Sequence, residues 1–524
     1  MDTIKKPKIL HILFAIIIAV LTTGFLRLQL FAGLPGSDGG FYTFCSQFYY
    51  SHFLNNRDLD GMMLQLYPLI TSWVYSLDVN QFIVLRLIDG FFAIITSIIL
   101  FKVILKESGS IFFTVILMTT LLILMNYIEN IGYGFRNSIW IAYLPLFSAL
   151  LVWQNISKKN NYAFYLIGGL VSLGVLFREP FLVFFLFTGI AIQIGYGSRE
   201  LFKYLIGSAL VGFSVLGFVI LFKGVGLISF IHSYSDLTLG WMKEHNDLIS
   251  GSFANYSLLS LKNNWFICFT SFVSLIYLIK LYFSDKNILN INRIYFWLGI
   301  SFLPLLEPLL KFSWEYHFAN CLPGLAGLTA MSWKYLNSQE SKIVNTASIV
   351  IVSLMSLMVI FPTINRVIIK SDYIFSPLNA IELSKDVGGF RGPETIAKSQ
   401  YLIAASKIYE LSREDSTFSQ SGYMATLYPL TGLIPPTYKL SDLGTLYASL
   451  NYDEDKFIKI LEKYRPTIIW TAHLSTQYLT KAEKDLPFII EKTNLYNKVA
   501  TIPLNSEINY GWKAGSIYRL KNFK

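Results

Sequence analysis

The chain has 524 residues, of which 53% are apolar, 16% aromatic and only 15% charged. Charged residues usually supply about a quarter of a globular domain, so the composition excludes a disordered chain and argues against an ordinary soluble enzyme. A net charge of +10 does not signal nucleic-acid binding here. No basic run carries interleaved aromatics, and much of the excess sits between apolar stretches, as membrane topology requires.

Charge divides the chain in two. Residues 363–524 hold 36 of the charged side chains, about 22% of that segment, against about 11% in residues 1–362. The expected architecture is a membrane all-α polytopic bundle over 1–362, followed by an extracytoplasmic α/β domain over 363–524. Cys45, Cys268 and Cys321 have no metal-ligand spacing and imply no disulfide framework. Cys45 reads as a lone free thiol.

A spanning helix needs about 20 apolar residues. The first candidate, 9–32, follows Lys5, Lys6, Pro7 and Lys8; its long apolar run without a small-residue cleavage site reads as an uncleaved anchor. Further spans are expected at 82–105, 111–128, 138–155, 162–177, 181–197, 204–223, 264–282, 294–313, 318–336 and 343–362, about eleven in all. With the amino terminus cytoplasmic, Lys106, Lys158, Lys159, Arg199, Lys203, Lys286, Arg293, Lys334 and Lys342 fall on the cytoplasmic side, the positive-inside bias. An odd count then exports the tail from the inner membrane. The pair within 162–197 is short for full spans, and a re-entrant hairpin fits equally well.

Two loops on the outer side, 33–81 and 224–263, are too long for turns, and long loops usually carry function. In the first, Met62 to Leu77 has apolar residues at helical spacing with Tyr67 and Trp73, which predicts a helix on the membrane surface. The tail alternates helix-like stretches such as Asp453 to Tyr464 with strand-like runs at Thr467 to Trp470 and Ser516 to Leu520, the pattern of a small α/β domain.

The sharpest local feature is Gly36-Ser37-Asp38-Gly39-Gly40, a carboxylate among flexible residues just after the first span. Asp beside Gly is also ordinary turn chemistry. The position favours function, because an acid there can take a proton from a hydroxyl while the other reactant stays in the bilayer. At the apex of the short hairpin stand Arg178, Glu179 and Pro180. Arg178 can clamp a phosphate bidentately; the alternative is a local Arg–Glu pair capping two helices, with Pro180 in the first turn of the second.

Glu129 and Arg136 flank the turn between the third and fourth spans, and Arg136 can add a second cation. Glu307 and Lys311 have the spacing of a helical ion pair, with Glu315 and His317 after them. Arg57, Asp58 and Asp60 can supply a second acid or bind sugar hydroxyls, and Trp241, Lys243, Glu244 and His245 can contact an acceptor; a solvated loop is the plainer reading of both groups. A lone histidine is more often structural than a ligand, so no metal or other cofactor is expected, though a divalent ion is left open. No P-loop, dinucleotide glycine fingerprint, HExxH or GxSxG motif is present, which leaves ATP-driven transport without a motor.

Several segments in order along the chain resemble the polytopic GT-C glycosyltransferases, which use polyprenyl- or dolichyl-phosphate sugars. That superfamily includes protein O-mannosyltransferases, bacterial lipid A aminoarabinose transferases and O-antigen glucosyltransferases. The resemblance rests on Asp38 after the first span, "YPLITSWVYSL", Arg86-Leu87-Ile88 opening the second span, "GGLVSLGVLFREPFLVFFL", "WEYHFANCLPGLAGLTA", and the tail's "LEKYRPTIIW" and "SIYRL". It implies a first-loop carboxylate as general base, carried onto Asp38, and cations near the lipid phosphate, carried onto Arg178 and Arg136. Several of these families set a second acid directly beside the first, whereas Asp38 is followed by glycines. The implied partners are a polyprenyl-phosphate sugar donor, a glycan, lipid or protein acceptor, and the bilayer. A polysaccharide polymerase or ligase would favour an arginine-rich late outer loop. A lipid-linked sugar flippase would show matched halves with interrupted helices, and only one interrupted hairpin is seen.

Overall fold

The structure, a computed structural model, describes residues 9–24, 37–55, 66–77, 81–126, 137–156, 162–178, 181–223, 227–245, 252–284, 291–310, 315–339, 342–369, 403–422, 424–475, 479–503 and 513–523. In chain order the helices are α1 (Ile9–Ile18), continued by a π-helical turn Ala19–Gly24, then α2 (Ser37–Asn55) and α3 (Leu66–Thr71), continued by a 3-10 turn Ser72–Ser76. Next come α4 (Gln81–Ser108), α5 (Ile111–Met125), α6 (Asn137–Gln154), α7 (Ala163–Phe177), α8 (Leu182–Tyr196) and α9 (Ser198–Lys223). They are followed by α10 (Leu227–Glu244), α11 (Ser252–Asn263), α12 (Trp265–Ser284), α13 (Ile291–Phe302), α14 (Leu306–Leu310), α15 (Glu315–Phe318), α16 (Leu322–Gln339) and α17 (Lys342–Ile369).

Among the described residues, four segments are long and apolar enough to cross a membrane: Val84–Ser108, Ser198–Phe218, Trp265–Ser284 and Ile343–Pro362. His11–Gly24, Ile111–Met125, Ile139–Gln154, Ala163–Phe177 and Leu182–Tyr196 are shorter apolar helices. The segment 294–313 is not one continuous helix. α13 stops at Phe302, a 3-10 turn covers Leu303–Leu305, and α14 follows. Pro304 and Pro308 explain the break, since each removes a donor and clashes with the preceding turn.

The inner face of α4 carries Leu85, Arg86, Asp89, Ala93, Thr96, Ser97 and Leu100, all buried, a helical stripe that packs on α6. α7 lies against both α6 and α9. The α7–α9 approach is close because glycines line it: a Cβ on Gly168 would lie 2.9 Å from the Tyr204 carbonyl carbon, and one on Gly207 2.7 Å from Tyr165 Cα. Small residues at this spacing let helices meet backbone to backbone, as membrane helices do. Ser208 Oγ spans the same contact, donating to Gly168 O at 3.0 Å. Outward faces are apolar, with Phe361 of α17 74% exposed, as suits a lipid solvent.

One end of the bundle gathers polar groups. Glu107, almost wholly buried, accepts from Gln154 Nε2 at 2.6 Å and pairs with Arg293 at 3.6 Å. Lys106 donates to Gln154 O at 2.6 Å and to Asn155 Oδ1. Trp153 Nε1 donates to Tyr196 Oη at 3.1 Å, and Phe164 meets the same ring at 4.9 Å, so the end of α6, the start of α7 and the end of α8 share this end.

The tail builds α18 (403–411), β1 (Phe418–Gln420), α19 (Leu427–Thr431), α20 (Leu443–Ser449), α21 (Glu454–Tyr464), β2 (Ile468–Ser475), α22 (Lys481–Lys492), β3 (Tyr496–Ile502) and β4 (Lys513–Leu520). The sheet order is β1-β2-β4-β3, with β1 parallel to β2 and the other pairs antiparallel. The strand-like runs read from the sequence coincide with β2 and β4, and α21 starts at the expected place because Asp453 caps it, accepting from Lys456 N at 3.0 Å. α22 is fixed by a capping box between Thr480 and Glu483.

Helices from both long loops read from the sequence pack on the tail. Phe44, Cys45, Phe48, Tyr49 and Leu69 share one hydrophobic core with Phe418, Tyr428, Tyr438, Trp470 and Ile517. α10 packs along α20, and Glu244 at its end is buried. The Glu244 carboxylate accepts from Thr480 Oγ1 at 2.9 Å and from Thr445 Oγ1 at 3.1 Å. Both threonines stand at helix N-termini, where a negative charge is favoured.

Candidate active site

The first long loop forms a helix where the sequence shows glycines and an acid. Asp38 occupies the first turn of α2, so the segment is a helix start rather than a turn. Further on, α3 begins at Leu66. Tyr67 is fully buried in the bundle core, whereas Trp73 is 52% exposed. This segment therefore plugs into the bundle, touching α6 and α7, instead of lying wholly on a surface.

Arg178 caps the C-terminus of α7 with an extended backbone, its N–H donating to Gly174 O at 3.0 Å and Val175 O at 3.1 Å. Its side chain is 5% exposed. His317, in the short helix α15, is 4% exposed. The two belong to one neighbourhood through Tyr143. That ring lies 5.0 Å from Phe181, whose N–H donates to Arg178 O at 3.0 Å. Its hydroxyl reaches Asn320 O and Oδ1, each at 3.3 Å, three residues after His317. α11 of the second long loop packs on α15, with Phe253 and Phe318 5.5 Å apart.

Two further ionisable residues lie in the same half of the bundle, and the sequence reading does not single them out as site residues. Arg86 and Asp89, 5% and 0% exposed, project from the inner face of α4 near its start, where α4 meets the 3-10 turn Ser72–Ser76. Their signal in the sequence is an Arg and an Asp three apart inside an apolar segment, and ionisable groups at membrane depth are functional candidates by default. About two turns deeper lies an uncharged polar seam. Thr23 and Ser97 hydroxyls are 3.1 Å apart, Asn126 Nδ2 donates to Thr23 Oγ1 at 3.5 Å, and Thr96 Oγ1 donates to Trp140 O at 3.0 Å.

Of the other residues singled out, Glu307 falls in α14 and Glu315 opens α15. Arg57, Asp58, Asp60, Glu129, Arg136, Glu179 and Lys311 lie outside the described residues. The loop quartet is divided: Glu244 is the buried anchor described above, while Trp241 stacks on His245 at 4.8 Å. Lys243 sits 5.5 Å over the Tyr452 ring and bonds Asn451. Among the described residues no cluster of His, Cys, Asp and Glu is arranged to hold a metal ion.

Comparison with solved structures gives a likeness over the whole chain. The crystal structure of ArnT from Cupriavidus metallidurans bound to undecaprenyl phosphate matches 98% of this chain with 98% of its own, at a TM-score of 0.52 and 12% sequence identity. At this identity the likeness concerns the fold alone: the chain shares the overall fold of that protein along its length. No protein-family model matches the chain, and no curated protein matches it in sequence.

Proposed function

We propose that the protein is an integral membrane glycosyltransferase that moves a hexose from a polyprenyl-phosphate donor to a hydroxyl of a surface glycan, lipid or protein on the outer side of the inner membrane. The observation that carries the reading is the full-length likeness to a GT-C enzyme, with Asp38 at the start of a helix wedged between bundle and tail. That neighbour was crystallised with undecaprenyl phosphate bound, and the same class of lipid phosphate suits the buried arginines here.

In the proposed reaction the acceptor oxygen attacks the anomeric carbon, the bond from that carbon to the phosphate oxygen breaks, and the acceptor proton passes to Asp38. The polyprenyl phosphate leaves with the bonding electron pair. Arg178, together with Arg136 and the buried Arg86, stabilises the charge that develops on the phosphate, where scarce water makes such preorganised cations effective. Phosphate is a good leaving group, so no separate general acid is required. The lipid tail lies between helices and the acceptor enters from the tail side, which turns a two-body encounter into a local step. Asp58, Glu179, Arg57, Glu307, Lys311 and His317 are then candidates for sugar or acceptor contacts.

The test is donor turnover by the purified full-length protein with a panel of radiolabelled polyprenyl-phosphate sugars. Asp38→Asn is expected to lose about 100-fold or more in rate, as removal of a general base does, whereas Arg178→Ala should weaken donor use more than acceptor use. Full activity of Asp38→Asn would remove it from the base role, and substrate movement across liposomes without bond cleavage would replace the transferase with a transporter.

A further inference from the structure

The turn that carries the proposed base is held by the tail. Gly40, two residues after Asp38, is buried, and space is what demands glycine there. A Cβ at this position would overlap Thr426 Oγ1 and lie 2.8 Å from Thr426 Cβ and 2.9 Å from its backbone Cα. At Gly40, α2 therefore meets the tail with no side chain of its own between them. Four residues on, Phe44 stacks on Tyr428 at 4.2 Å, and after a further turn Gln47 Nε2 donates to Leu433 O at 3.3 Å. Residues 40, 44 and 47 form one helical stripe seated on the segment from Thr426 to Leu433.

That segment is itself fixed. Tyr428 donates to Ser441 O at 2.7 Å, and burial, aided by the Asp442 carboxylate, holds its phenol well above the ordinary range, so the ring stays neutral. Away from this stripe α2 is tied to α3 and the following turn: Ser46 and Thr71 hydroxyls are 2.9 Å apart, and Tyr75 Oη donates to Thr43 O at 3.0 Å. These bonds lie in the middle of the helix. In its first turn Gly40 meets Thr426, and Phe41 next to it packs against the core shared with the tail.

We propose that Gly40 and Thr426 form a positioning contact through which the tail sets the first turn of α2, and with it the Asp38 carboxylate, for sugar transfer. The proposal rests on the reading of Asp38 as base. Neither residue touches a substrate in this scheme. The contact matters because misplacing a reacting group by about 1 Å costs on the order of 100-fold in rate.

The experiment compares the full-length wild type with Gly40→Ala, Thr426→Leu, Gly40→Ala/Thr426→Gly, Asp38→Asn and Gly40→Ala/Asp38→Asn, using a radiolabelled polyprenyl-phosphate hexose that the wild type turns over. Gly40→Ala is expected to lower kcat by about tenfold or more while the donor KM stays within about twofold. Thr426→Leu, which presses on Gly40 from the tail's side, should act in the same direction. Thr426→Gly, by removing two of the three overlapping atoms, should return part of the rate lost in Gly40→Ala. In the Asp38→Asn background Gly40→Ala should cost nothing more, since two changes acting through one group do not add; general damage would add. A wild-type kcat in folded Gly40→Ala, or in Thr426→Leu should Gly40→Ala not fold, overturns the proposal. If Asp38→Asn is inactive while both contact variants are fully active, only the positioning contact falls. If Asp38→Asn is fully active, the base assignment falls and the contact loses its purpose.

Discussion

A carboxylate withdrawn from water needs replacement for its hydration, and Glu244 obtains it from groups that do not belong to its own loop. Thr480 and Thr445, from two tail helices, donate to its two oxygens at 2.9 and 3.1 Å, and Gly444 leaves the space, since a Cβ there would lie 3.1 Å from Glu244 Cδ. Hydrogen bonds to a charged group contribute roughly 1.5–3 kcal/mol each. Glu244→Ala is expected to loosen the docking of α10 on α20, seen as faster amide hydrogen exchange in both helices, and Glu244→Gln, which keeps one acceptor, should do so less. Unchanged protection in α10 would count against the anchor. In the sequence Glu244 stands among four loop residues that could touch an acceptor. Nothing local marks it as different, because its partners lie about 200 and 236 positions away. Asp38 is the opposite case: its place after the first apolar run draws notice, but the glycine pattern hides a helix start, since the glycine that matters faces Thr426.

Elements are legible where local signals agree. The strands β2 and β4, the capped helix α21 and the runs of α4, α7, α8 and α12 follow from hydropathy, proline and capping residues that act within a turn or two. The interruption of α13 is written in Pro304 and Pro308, yet apolar content alone runs through them. What local signals do not contain is the partner of each face, and glycine is where this shows. Gly207 meets the Tyr165 backbone, with Tyr165 Cα 2.7 Å from where its Cβ would be, while Gly217 in the same helix has nothing within 4 Å. Gly207→Leu should force α7 from α9 at a cost of about 1–3 kcal/mol or more, the usual penalty for overpacking. Gly217→Leu should leave thermal stability in detergent near that of the wild type. Equal melting temperatures for the two variants would mean that α7 and α9 do not approach as closely as described.

For the whole molecule, the charge division read from the sequence corresponds to two solvents: charged residues are dense where the sheet forms and sparse where helices expose apolar faces such as Ile343, Leu357 and Phe361. The positive-inside reading has a geometric counterpart. Lys106 and Arg293, assigned to one side by counting spans, meet around Glu107 and Gln154. That end is remote from α2 and the tail along the bundle axis: α4 reaches it with Glu107 after leaving the tail-side turn near Arg86, a separation of about 30 Å at 1.5 Å per residue. Such a length matches the hydrocarbon thickness of a bilayer, so the two ends should face different compartments. Tyr409 on the tail is 68% exposed and Tyr162 at the start of α7 is 78% exposed. The native thiols offer little background, with Cys45 and Cys321 buried and Cys268 within a span. In intact cells, Tyr409→Cys should react with a membrane-impermeant maleimide, whereas Tyr162→Cys should react only after permeabilisation. The reverse pattern would place the first turn of α2 on the cytoplasmic side, and sugar transfer on the outer surface would have no base. Labelling of both sites in intact cells would mean that no bilayer separates the two ends.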